Sequence, residues 1–110
     1  MYKSLKKIYD LLYSPIVTPY NLLANANLDN YKYVNFYKGE KGLIAEMQCV
    51  MEDGVSEVFY YHFDENNFLQ EVYRLEGKNK VLIYSRAKQI VKEKKKFIEE
   101  YKKSITHQTS

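Results

Sequence analysis

Cys49 is the only cysteine in the chain, and His62 and His107 are its only histidines. Cys49 and His62 are the one nearby pair whose residue types suit nucleophilic chemistry. A working dyad needs a thiolate within hydrogen-bond reach of the imidazole, and donors for a developing oxyanion. No Gly-rich turn or strand-to-helix elbow supplies those donors here. The pair reads instead as a small buried thiol and a half-exposed strand histidine. The carboxylates Glu46, Glu52, Asp53, Glu57, Asp64, Glu65 and Glu71 are scattered over strands and turns. General acid–base work needs two carboxyl groups whose environments separate their pKa values, and turn and solvent roles account for most of these. Neither histidine stands at metal-ligand spacing from Cys49. Asp64-Glu65-Asn66-Asn67 lacks the alternate ligand spacing, the mid-loop Gly and the later bidentate Glu of a calcium loop. The expectation is therefore a non-enzyme, with no catalytic residue, no metal and no cofactor.

Two other groups of residues have binding chemistry. The chain has 12 Tyr and five Phe but no Trp. Each tyrosine offers apolar area and a polar tip, which suits a sheet with one partly wet face. Charge is unevenly spread: residues 81–110 carry eight basic and three acidic groups, and residues 11–80 carry six basic and ten acidic. Arg86, Lys88, Lys92, Lys95, Lys96, Lys102 and Lys103 lie on one expected helix, where they bind phosphates or, more ordinarily, form a solvated outer face.

The elements that position these groups follow from pattern. Apolar residues at helical spacing predict a helix over residues 2–13, ended by Ser14-Pro15. Thr18 as N-cap and Pro19 at the first helical position predict a further turn of helix at residues 20–26. Alternation predicts strands at residues 31–38 and 43–51, joined by Gly39-Glu40-Lys41-Gly42. Val34 and Phe36 share one face; Tyr31, Tyr33 and Tyr37 share the other. The turn at Glu52-Asp53-Gly54 allows two registers. A two-residue Asp-Gly loop sets Cys49 opposite Val58. A three-residue loop, with Gly54 at positive φ in a bulge, sets Met47 opposite Phe59 and Leu43 opposite Phe63. The second is preferred. It gathers Leu43, Ala45, Met47, Phe59, Phe63, Phe68 and Val72 on one side, and leaves Glu46, Gln48, Tyr60, His62, Glu71 and Tyr73 on the other.

Residues 55–75 read as a hairpin around Asp64-Glu65-Asn66-Asn67. Phe63 opposite Phe68 pairs Tyr61 with Gln70, Phe59 with Val72 and Glu57 with Arg74, all favourable cross-strand combinations. Gly77-Lys78-Asn79-Lys80 breaks the last strand. An apolar stripe then predicts a long helix from Val81 or Ser85 to Lys103, with a frayed polar tail. The expected fold is α+β: an N-terminal helix, a four-stranded antiparallel β-meander and a long C-terminal amphipathic helix packed on one sheet face. At 110 residues the chain is long enough for one domain, 1–110.

Asp10, Pro15, Pro19 and Asn21 interrupt the N-terminal apolar run, so it does not make a secretion signal, although Ala24-Asn25-Ala26 is similar to a cleavage site. No stretch approaches 18 apolar residues, so no membrane span is expected. A lone cysteine points to no oxidising compartment, and the expected location is cytoplasmic. Four strands followed by a helix resemble, in element order alone, small modules that bind single-stranded nucleic acid. The Lys-, Tyr-, Asn- and Ile-rich composition is similar to that of proteins from AT-rich bacteria and their phages.

The leading expectation is a small non-catalytic interaction or regulatory protein. It binds a protein partner, or a second copy of itself, through a Tyr-rich sheet face (Tyr33, Tyr37, Tyr60, His62, Tyr73) or an open sheet edge. Replacing Tyr60 and Tyr73 by Ser is expected to weaken binding and keep the fold. The alternative is a single-stranded nucleic-acid-binding module that stacks bases on the same tyrosines, with Arg86, Lys88, Lys92, Lys95 and Lys96 as a basic rim. No membrane partner and no small-molecule substrate is expected.

Overall fold

Alternating side chains and tight turns build the sheet. The computed structural model describes residues 6–8, 10 and 17–109, with side chains as far as Ile105. Five strands pair in sequence order into one antiparallel meander: β1 (Tyr31–Lys38), β2 (Leu43–Val50), β3 (Ser56–Phe63), β4 (Leu69–Glu76) and β5 (Asn79–Ser85). Helix α1 (Pro19–Asn25) precedes the sheet and helix α2 (Arg86–Thr109) follows it. Residues 6–8 and 10 are also helical. The rest of the helix expected at 2–13, and its end at Ser14-Pro15, lie outside the described residues. The α+β class and the meander are as expected, but the meander has five strands rather than four.

The fifth strand comes from a turn. Gly77 sits at φ 59 in a two-residue Gly77-Lys78 loop that sets Glu76 opposite Asn79. Glycine reaches that backbone region without the Cβ clash that other residues meet, so the chain doubles back instead of unravelling. The apolar run Val81-Leu82-Ile83-Tyr84 then extends along β4. Of the two expected helix starts, the structure takes the later. Nothing in the sequence breaks α2 at Lys103, and it continues to Thr109.

The β2–β3 connection takes the preferred three-residue form. Met51 N–H donates to Val55 O at 2.9 Å, Gly54 lies at φ 84, and Met47 stands opposite Phe59. The β3–β4 register departs from expectation. Asp64 N–H donates to Phe68 O at 2.9 Å, which closes a loop of Glu65, Asn66 and Asn67, with Asn67 at φ 64. A bulge then leaves Gln70 unopposed, Phe63 faces Leu69, and Tyr61 and Phe59 face Val72 and Arg74. At Phe63 the shift is one residue, which turns Leu69 to the core face; beyond the bulge it is two, so residues 71–76 keep their faces. Leu69, not Phe68, fills the core position beside Phe63.

One sheet face forms the core. Ala45, Met47, Phe63, Leu69 and Val72 are buried together with Leu22 of α1, and Val34, Phe36, Leu43, Phe59 and Tyr61 pack against them. A capping box starts α1: Asn21 N–H donates to Thr18 Oγ1 at 3.4 Å, and Thr18 N–H donates to Asn21 Oδ1 at 2.8 Å. It gives the Thr18 N–H an acceptor, fixes the first turn and holds Leu22 over the sheet. A bulge at Lys32 sends Tyr31 to the core face opposite Cys49, so Tyr31 leaves the company of Tyr33 and Tyr37. The sheet and α1 belong to one compact unit, residues 15–85; α2 falls in a second, with residues 1–14.

Candidate functional site

Strand parity gathers the candidate tyrosines on the sheet face opposite the core. Register places three rows of side chains across it. The central row runs Asn35, Glu46, Tyr60, Tyr73 and Leu82. The row toward the β1–β2 turn runs Tyr37, Ile44, His62, Glu71 and Ser85. The third holds Tyr33, Gln48 and Val58, with Leu75 and Lys80 on its far side. Tyr33, Tyr37, Tyr60, His62 and Tyr73 therefore share one surface. Cys49 lies on the other face, between Tyr31 and Glu57, and makes no dyad with His62.

Glu46 organises the surface. Tyr33 Oη donates to Glu46 Oε2 at 2.9 Å. Burial, then that hydrogen bond and the carboxylate's charge, push the Tyr33 phenol up to about 12. Burial followed by the charge of Glu46 also raises Tyr37 and Tyr60. Tyr73 is raised by burial, then by the charge of Glu71 and a hydrogen bond to it. All four phenols are thus held in their protonated, donating form. His62 stacks edge-on against Tyr73, with ring centres 5.1 Å apart. Burial lowers its pKa, Lys80 adds to the lowering and Glu71 opposes it. Its Nε2 is buried and meets no hydrogen-bond partner.

Exposure divides the set. Tyr37 is 42% exposed, whereas Tyr60 is only 9% exposed, beneath the Lys80 ammonium 4.0 Å above its ring centre. Tyr60 supports the surface, and Tyr33, Tyr37, His62 and Tyr73 present it. Tyr60→Ser removes this supporting ring and is expected to cost more stability than Tyr73→Ser, whose ring is only half-buried. Glu46 and Lys80 are the residues that sequence reasoning left out of the site. Alternation places Glu46 on this face but does not mark it as the tyrosines' acceptor. Lys80 falls in the hairpin read as a break, and an aromatic two strands away is the contact that alternation cannot signal.

No known protein family, curated protein or solved structure matches this chain. The geometry therefore stands by itself. A cavity of about 270 Å³ opens at the end of the face, between Gly39, Gly42, His62, Gln70 and Glu71. Among the described residues no group of three His, Cys, Asp or Glu is placed to hold a metal, and no helix is long and apolar enough to cross a membrane. The basic candidates Arg86, Lys88, Lys92, Lys95 and Lys96 lie along α2, in the other compact unit from the tyrosine face.

Proposed function

We propose that this is a small non-catalytic interaction protein that binds a protein partner, a second copy of itself included, through the tyrosine-bearing sheet face. One observation carries the reading. Tyr33, Tyr37, His62 and Tyr73 stand together on the face that α1 does not cover, with the phenols of Tyr33 and Tyr73 donating to Glu46 and Glu71. Rigid amphipathic rings with few rotatable bonds bury contact area at low entropic cost, the property that enriches Tyr in interfaces. The edges serve this purpose less well. β1 and β5 each pair with one strand only, and both carry a bulge, at Lys32 and Ile83, which twists an edge away from further pairing.

Single-stranded nucleic acid is the second reading, since unpaired bases stack on aromatic rings. Glu46 and Glu71 weigh against it, because their charge repels phosphates on the surface where the bases would lie. The test is a Tyr37→Ser, Tyr73→Ser double variant compared with the parent chain by light scattering over a concentration series and by affinity capture. Self-association or capture that weakens about tenfold or more in the variant supports the proposal. A parent chain that stays monomeric, with captured proteins indifferent to both substitutions, rejects it.

A further inference from the structure

Helix α2 carries a second surface. Val91, Ile98 and Ile105 recur every seven residues and so fall in one file, with Tyr101 and Ala87 on the same face. This file is not the buried one: Val91 is 52% exposed, Ile98 49%, Tyr101 52%, and Ile105 41%. The buried side of the helix is centred on Glu93. At 1.5 Å per residue the file extends for about 21 Å. Lys88, Lys95 and Lys102 repeat with the same period in the adjoining file, and Lys92, Lys96 and Lys103 lie beyond them. The acidic residues are withdrawn from this surface. Glu93 is buried, with its Oε1 3.6 Å from Lys96 Nζ, and Glu100 is half-buried, so of seven exposed lysines one is paired with Glu93 and the one exposed carboxylate is Glu99.

We infer that α2 adsorbs to an anionic phospholipid surface, lying in the interface plane with Val91, Ile98 and Tyr101 inserted and the lysines at the phosphates. A basic helix with an apolar file and low overall hydrophobicity is built for that position, and it needs no membrane-crossing segment. Lys94, inside the apolar file, extends its stem along the apolar groups and its ammonium to the headgroups. Charge decides against the other occupants. In a helix pair formed with a second copy, the file Lys88, Lys95, Lys102 would border the seam and add like charge to it. Nucleic acid would engage the lysines but leave the aliphatic file in water. The inference is independent of the tyrosine face.

The experiment is co-sedimentation of the full chain with vesicles of phosphatidylglycerol and phosphatidylcholine in equal parts, and with phosphatidylcholine alone, at low and high salt. The expected result is binding to the anionic vesicles only, weakened by salt. Val91→Gln with Ile98→Gln should weaken it about tenfold or more, and so should Lys92→Gln with Lys95→Gln. All four positions are exposed, and circular dichroism checks that both variants keep the fold. Absence of binding to anionic vesicles at low salt overturns the inference. So does binding that the Val91, Ile98 variant leaves unchanged, which would be charge attraction alone. A dimer lost in that variant, without vesicle binding, overturns it in favour of a second copy.

Discussion

Glu46 sets the chemistry of the tyrosine face by accepting the Tyr33 hydroxyl and opposing negative charge around it. The phenol of Tyr33 is raised from 10.0 to about 12 in the folded chain. Folding therefore favours the protonated form. Its contribution to stability is fully present below pH 10 and is lost as pH rises toward about 12. Tyr37, Tyr60 and Tyr73 shift in the same direction, so unfolding should become easier through that window. Glu46→Gln removes the charge, and a phenolate absorbance titration should then show the last tyrosine ionising earlier than in the parent chain. An unchanged titration would mean that burial alone sets these phenols. The membership of this face was legible in the sequence, because alternation assigns Tyr33, Tyr37, Tyr60, His62 and Tyr73 without knowledge of any contact. Their individual exposure was not legible. It depends on Lys80, which arrives from a strand two places away.

The β3–β4 hairpin shows how one turn residue controls an element. Asp64 Oδ1 accepts from Asn66 N–H at 2.9 Å and from Phe68 N–H at 3.0 Å, and its Oδ2 accepts from Gln70 Nε2 at 2.9 Å. The carboxylate thereby ties the loop and the bulge together, as Asx turns do. Asp64→Ala should destabilise the protein by about 1–3 kcal/mol in urea unfolding, whereas Asp64→Asn keeps one acceptor oxygen and should cost less. Equal stabilities for the two variants would remove Asp64 from this role. The same hairpin marks the limit of sequence reading at the scale of elements. Apolar runs and turn residues located β3 and β4 but not the bulge at Gln70, since an unopposed residue has no signature apart from its partner strand. The start of α1 was readable because its N-cap Thr18 and first residue Pro19 are neighbours in the chain, whereas the return bond from Asn21 that completes the capping box was not. Residues 81–84 were ambiguous for the opposite reason: a short apolar run fits helix and strand alike, and pairing with β4 resolves it.

Across the whole molecule, Cys49 reports on the sheet's integrity. It is 5% exposed on the core face, and burial followed by the charge of Glu57 pushes its thiol up. A thiolate-selective reagent should label it on the order of a hundredfold more slowly in the folded chain than in the urea-unfolded chain, with a rate that follows unfolding. Labelling at the unfolded rate in native buffer would mean that β2 opens locally. From its own residues alone the chain determined the α+β class, the first four strands, the β2–β3 register and the two-faced division of the meander. Each rests on side-chain alternation or on turn chemistry confined to a few neighbouring positions. Tertiary pairing alone decided the fifth strand, the bulges at Lys32, Gln70 and Ile83, the burial of Tyr60 and the exposure of the Val91, Ile98 file. Those outcomes depend on which distant surfaces compete for the same apolar area, and no local pattern records that competition.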